Sequence, residues 1–255
     1  MKPVISVITV VNNGAATIAD TLLSVASQSY PHIEHIVIDG ASTDDTLKII
    51  HKHASQITVI KSEPDHGMYD AMNKGLAMAT GDIIGFLNSD DVYADSRVLD
   101  EIASVIENKN VDACYGDLVY VDRIDVCKVV RYWKSQPYRD GLFEKGWMPA
   151  HPTFYARRWV YDKFGGYDLA YRYQSDFELT MRFLAIKKIS SAYIPRVLVK
   201  MRSGGASRGL RHILMGNIEA YVACRRHSLR VTPLFIAKKI FSRIPQFFRL
   251  NQADL

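Results

Sequence analysis

Apolar residues fall in two alternating rhythms along the first hundred positions. Short unbroken runs rich in β-branched residues predict strands at 4–11 (VISVITVV), 35–39 (HIVID), 57–62 (ITVIKS) and 82–88 (DIIGFLN). Between them, apolar positions spaced three and four apart predict helices. Ile18, Leu22 and Val25 mark one over 17–28, and "ASTDDT" supplies caps for the next. Met68, Met72 and Leu76 mark a third over 68–79, and Val98, Leu99, Ile102, Val105 and Ile106 a fourth over 95–108. Strands apolar throughout, alternating with helices, indicate an α/β chain with a Rossmann-like, mostly parallel sheet covered on both faces. Ligands of such sheets sit beyond the carboxyl ends of the strands. After residue 110 the rhythm loosens. "DACYGDLVYVD" (112–122) and "VCKVVRYW" (126–133) read as an antiparallel pair, and the aromatic, Pro- and Gly-containing stretch 135–158 as a substrate-facing loop region. Helices are expected around 175–187 and 208–226, and an amphipathic stretch over 232–249. The expected division is 1–205 as one domain, with halves 1–110 and 111–205, and 206–255 as a helical extension.

At 255 residues the chain is long enough for one large α/β domain plus an appendage. Its net charge of +5 is uneven: residues 206–255 hold nine Lys/Arg against two Asp/Glu, and the rest 23 against 25. The excess basicity is therefore local. The segment 225–250 has seven Lys/Arg and no acid among apolar residues, which suits the headgroup region of an anionic membrane. No run approaches the roughly 20 apolar residues a bilayer crossing needs, and the start reads as a strand rather than a signal peptide. Three widely spaced cysteines, Cys114, Cys127 and Cys224, argue for a reducing cytoplasm.

Candidate chemistry gathers at strand ends. The run "GFLNSDDVY" closes a buried strand with Asn88-Ser89-Asp90-Asp91, two adjacent carboxylates that repel unless solvated or neutralised by a cation. Asp39 ends the second strand. No G-x-G-x-x-G follows the first strand, which disfavours a nicotinamide dehydrogenase, and "RSGGASRG" (202–209) lacks the Gly-Lys-Ser/Thr of a P-loop.

The ordered motifs "ISVITVVNN" (5–13), "SYPHIEHIVIDGASTDDT" (29–46), "HGMYDAMNKGLAMATGDIIGFLNSDD" (66–91), "HPTFYARRWVYDKFGGYD" (151–168) and "SDFELTMRF" (175–183) resemble the family 2 glycosyltransferases, nucleotide-sugar enzymes of GT-A fold. The flavour is that of bacterial capsule, exopolysaccharide and lipopolysaccharide enzymes. The resemblance implies an inverting, metal-dependent transfer of a sugar to a saccharide or lipid-linked acceptor, at the cytoplasmic face of the plasma membrane. Asn88-Ser89-Asp90 occupies the D-x-D position, so Asp90 would hold Mg²⁺ or Mn²⁺ with Asp91 beside it, while Asn88 faces the nucleotide. Such hard cations take oxygen ligands. Asp176 takes the position of the catalytic base, with Glu178 a weaker candidate. Thr9, Asn12, Asp39, Asp65, Gly67, Asn73 and Lys74 would line the nucleotide-sugar site, with Asp70 organising it. Gly40 stands where the family commonly has a second acid, so a UDP-sugar is the first expectation but other nucleotides stay open. Trp147 and His151 fall on the acceptor side, Tyr171 could stack on a sugar, and Arg202 or Arg208 could approach the diphosphate. Alternatives are a sugar nucleotidyltransferase, though "VVNNGAAT" has one Gly and no basic residue, and a non-catalytic nucleotide-sugar binder. Nothing but charge suggests nucleic acid.

Overall fold

The structure, a computed structural model, describes residues 2–204, 210–232, 234–236 and 239. At its centre β1 (Ile5–Val11) lies between β2 (Ile33–Asp39) and β4 (Ile83–Phe86), with β3 (Val59–Ser62) beyond β2. All four run parallel, and Ile5 pairs with both Ile33 and Ile83. Every residue of β1 is buried, as a strand covered on both faces requires. The covering helices are α1 (Ile18–Ala26), α2 (Thr46–Lys52), α3 (Met68–Met78) and α4 (Val98–Asn108). α4 buries Val98, Leu99, Ile102 and Ile106, as its period predicts, while Val105 of the same expected stripe is half-buried.

On α3 the expected stripe holds at Met72, which is buried, and at Leu76, half-buried against the core, but not at Met68. Met68 is 45 % exposed, and Tyr69 is buried in its place. Tyr69 stacks on Tyr167 at 5.3 Å between centroids and gives its hydroxyl a carboxylate partner, so the larger ring gains both burial and a hydrogen bond.

The second half extends the same sheet with antiparallel pairings. β8 (Tyr155–Arg157) lies against β4, and β6 (Ala113–Val121) against β8. β9 (Ser191–Arg202) runs parallel to β6, and β5 (Asp91–Tyr93) closes that edge antiparallel to β9. β7 (Val129–Trp133) pairs with β6, as expected for residues 112–133. Asp91, expected beside the metal ligand Asp90, opens a short strand, opposite Met201. A Cβ on Gly85 of β4 would collide with the ring of Tyr155, so glycine permits this close strand contact. The Tyr155 hydroxyl meets that of Tyr93 at 2.5 Å, tying β8 to β5.

Among the described residues, three further helices follow: α5 (Arg158–Phe164), α6 (Ser175–Met181) and α7 (Leu210–Arg226). The helix expected over 175–187 is α6 followed by a wider π-type turn at Arg182–Ile186, with Phe177, Leu179, Met181, Phe183 and Leu184 all buried. Arg208, Pro233, Pro245, Ile240, Phe241, Ile244, Phe247 and Phe248 of the expected loop and tail lie outside the described residues.

Candidate active site

The carboxyl end of β4 turns sharply: Asp91 N–H donates to the Asn88 carbonyl at 3.0 Å. The Thr21 hydroxyl of α1 donates to the Asp91 carbonyl at 2.8 Å. From β9, buried Arg202 donates to the Asp90 carbonyl at 3.1 Å and to Asp20 at 2.5 Å. The acidic loop is therefore fixed through its backbone, and Arg202, expected near the diphosphate, braces it from beneath. Its side chains are not satisfied. Asn88 Oδ1 and both carboxylate oxygens of Asp91 are buried without a hydrogen-bond partner. Burial pushes the Asp90 carboxyl up, partly opposed by Arg202 and His151. Burial, then the Asp90 charge, pushes Asp91 well above the usual carboxylate range. Unpaired buried acceptors beside a like charge are costly. They suit a hard divalent cation, since carboxylate and amide oxygens are its preferred donors. Among the described residues no group of three or more His, Cys, Asp or Glu could hold a metal unaided. Phosphate oxygens would have to complete such a site.

Asp176, on the first turn of α6, receives two donors and one close imidazole. Tyr69 O–H and Phe177 N–H reach Oδ1 at 3.2 and 2.8 Å, and His151 Nδ1 lies 3.3 Å from Oδ2. Burial pushes the His151 imidazole down, against the pull of Asp176 and Asp90. One imidazole thus feels the charge of the predicted base, 3.3 Å away, and that of the predicted metal ligand. Asp176 does not cap its helix, and no side chain hydrogen-bonds from the cap position. Instead Glu219 of α7 accepts the main-chain N–H groups of Arg172, Tyr173 and Gln174 at 3.1, 2.7 and 3.0 Å. Glu178 points elsewhere, buried against Arg182 and His227 at 3.0 and 2.8 Å. Burial opposes its charge, but hydrogen bonds from these two partners hold its carboxyl below the usual range.

At the ends of β1 and β2, Asp39 Oδ2 accepts from Ser42 N–H and the Ser62 hydroxyl at 3.0 and 2.7 Å, leaving Oδ1 buried and unpartnered. A Cβ on residue 40 would collide with the Asp65 carboxylate, so Gly40 makes room for an acid that arrives from another loop. Asp65 accepts Gly67 N–H at 2.8 Å, in a turn where Gly67 takes φ of 116°, a region that favours glycine. Asn12 Nδ2 donates to the Gly40 carbonyl at 2.7 Å.

The other expected residues are engaged by the protein. Thr9 is fully buried, its hydroxyl 3.1 Å from His35 Nε2. Asn73 exchanges two hydrogen bonds of 2.8 Å with the Tyr167 main chain. Lys74 bonds the Pro64 carbonyl at 2.7 Å and pairs with Glu63 and Asp70 at 3.2 and 3.5 Å. Trp147 packs edge-on against Phe143 and Tyr115, and Tyr171 is buried with Arg226 5.4 Å over its ring.

The profile described as "Glycosyl transferase family 2" matches residues 6–172. The chain belongs to this family. A PGL/p-HBAD biosynthesis glycosyltransferase of Mycobacterium bovis (strain BCG / Pasteur 1173P2) is 29% identical over 215 residues, covering 80% of this chain and 78% of that one. An uncharacterized glycosyltransferase of Mycobacterium tuberculosis is 35% identical over 182 residues, 71% and 68% of the two chains. EpsE of Bacillus subtilis is 28% identical over 248 residues, 93% and 88%. Among solved structures, Staphylococcus aureus TarS 1-349 in complex with UDP-GlcNAc has a TM-score of 0.67 at 16% identity, covering 98% of this chain and 74% of that one. The mannosyltransferase PcManGT of Pyrobaculum calidifontis, in complex with GDP-Man and Mn2+, has a TM-score of 0.67 at 19% identity, covering 95% and 70%. The fold of this family 2 glycosyltransferase is accordingly GT-A. Tyr69 and Glu219 were not singled out from the sequence. Tyr69 was hidden inside a helical Met-rich stripe, and nothing in the spacing links Glu219 to residues 172–174.

Proposed function

We propose that this glycosyltransferase performs an inverting, metal-dependent transfer from a nucleotide-sugar to a saccharide or lipid-linked acceptor in bacterial surface-glycan synthesis. The observation that supports the reading is His151 Nδ1 lying 3.3 Å from Asp176 Oδ2, on an imidazole that also feels the Asp90 charge. Asp176 is the base: held by Tyr69, His151 and Phe177 N–H, it takes the proton of the acceptor hydroxyl. The hydroxyl oxygen then bonds the anomeric carbon as the sugar–phosphate bond breaks, and the electron pair leaves on the nucleoside diphosphate. Asp90, flanked by Asn88 and Asp91, would be the protein ligand of Mg²⁺ or Mn²⁺. Such an ion, when bound, offsets negative charge on the leaving diphosphate. Asp39 and Asp65 provide acceptors for donor N–H or O–H groups, Asp65 standing in for the acid missing at Gly40. Asn12 and Gly67 line the same end of the sheet. Thr9, Asn73 and Lys74 shape this pocket by holding its walls.

A UDP-sugar is the first candidate donor, because TarS has been solved with UDP-GlcNAc and with UDP. A lipid-linked acceptor suits the basic C-terminal segment, which would keep the enzyme at the inner face of the plasma membrane. No helix among the described residues is long and apolar enough to cross a membrane. Asp176→Asn tests the reading. Transfer is expected to fall about 10²- to 10⁴-fold with donor binding intact, and the wild-type product should carry the anomeric configuration opposite to the donor's by NMR. Transfer undiminished in Asp176→Asn would refute the base assignment.

A further inference from the structure

We propose that the exposed face of α7 is a docking surface for anionic lipid headgroups. Leu214, Ile218 and Val222 stand at i, i+4 and i+8 and Met215 beside them, and their exposures are 54, 37, 37 and 39%. Solitary exposed apolar residues are ordinary, but a continuous row on one helix face marks an interaction site. The opposite face is already used. Ala220, Ala223 and Cys224 are fully buried, Cys224 Sγ lies 3.7 Å from Met181 Sδ of α6, and Glu219 holds the main chain before α6.

Charge selects the occupant. Arg225 continues the apolar row at i+3 from Val222 and i+7 from Ile218, and exposed Arg230 follows. The one acid in 210–236, Glu219, is engaged by three main-chain N–H groups. A second copy of the chain would bring the same cations against this face. The chain's own residues 237–255 have the same sign, with four Lys/Arg to one Asp. A layer of anionic headgroups over an acyl boundary supplies both the counter-charge and the apolar phase.

This surface rests on the membrane-side location proposed above and gives it a position. α7 is clamped to residues 172–174, two to four positions before Asp176. A bilayer against α7 lies about one helix diameter, roughly 10–12 Å, from the base helix. A lipid-linked acceptor would then present its sugar near Asp176.

The test is co-sedimentation of the full-length protein with vesicles of phosphatidylcholine alone or mixed with phosphatidylglycerol. Wild type should bind only the anionic vesicles. The triple variant Leu214→Ser, Ile218→Ser, Val222→Ser should lose about tenfold or more of that partitioning. Arg225→Glu with Arg230→Glu should lose as much, because each cation near such a surface is worth about fivefold. Unchanged thermal melting would certify that the variants fold. If wild type binds anionic vesicles and both variants bind equally well, α7 is not the surface, although the membrane location survives. If wild type ignores both vesicle types, location and surface fail together. If the apolar variant instead converts a dimer to a monomer in sedimentation velocity with lipid binding unchanged, the face joins copies and the proposal is overturned.

Discussion

Asp176 shows how one carboxylate can be both held and available. Its Oδ1 takes two donors while Oδ2, with His151 Nδ1 3.3 Å away, accepts no hydrogen bond among the described residues and stays open to an incoming proton. Tyr69 and His151 are positioning residues in this scheme. A hydrogen bond to a charged group is worth about 1.5–3 kcal/mol. Tyr69→Phe should therefore lower kcat about 10- to 150-fold while leaving the donor KM in place, and His151→Asn should lower kcat in the same direction. Steady-state kinetics checks this; a loss of thermal stability with kcat unchanged would assign both residues to packing alone. A second residue-scale effect sits at His35, in the core, with Nε2 on Thr9 and Nδ1 unpartnered. Burial pushes this imidazole down to about 4, from 6.5 when exposed. Between those values the unfolded chain binds a proton that the folded chain refuses. This contribution to stability is full above about pH 6.5 and is lost as pH falls through about 4, by at most about 3 kcal/mol. Urea midpoints measured across that window should fall less steeply in His35→Gln than in wild type.

Between elements, the decisive contact is the clamp from α7 onto the segment before α6. Glu219→Ala leaves three main-chain N–H groups without their carboxylate, at a cost of about 2–4 kcal/mol. The melting temperature should drop by several degrees, and kcat should fall as Asp176 loosens. Full stability in that variant would show the clamp to be redundant. What the sequence could disclose follows from the same distinction between local and distant pairing. The parallel half was legible because each strand and helix carries its own period, and the Asn88–Asp91 and Asp176 motifs because their residues adjoin. β5 and β8 have three residues each, too few to show a period. Tyr69 with Asp176, Gly40 with Asp65 and Glu219 with Tyr173 are pairings across loops, which no spacing announces. Met68 misled for a related reason, since helical periodicity cannot weigh a methionine against a neighbouring tyrosine that has a carboxylate waiting.

For the whole molecule, the seam where β4 meets β8 joins a parallel half that ends in Asp39 and Asp90 to a half that contributes His151 and Asp176. Closing that seam leaves the adjacent Asp90 and Asp91 carboxyls pushed up by burial, and sets Asp176 beside His151, before any donor arrives. The folded chain therefore holds electrostatic strain that a cation together with a nucleoside diphosphate would relieve. UDP with Mn²⁺ should raise the melting temperature more than the two separate shifts combined. At about a hundred times Kd the gain is about 2.7 kcal/mol, which for a chain of this size is about 5–10 °C. Asp90→Asn should leave the ligand-free melting point equal or higher, because it removes one of two adjacent like charges. It should also erase the Mn²⁺-dependent part of the shift, as should EDTA added to wild type. A UDP shift of full size in the presence of EDTA would mean that the acidic loop serves the fold alone, and the charge of the leaving diphosphate would then have to be met by protein side chains.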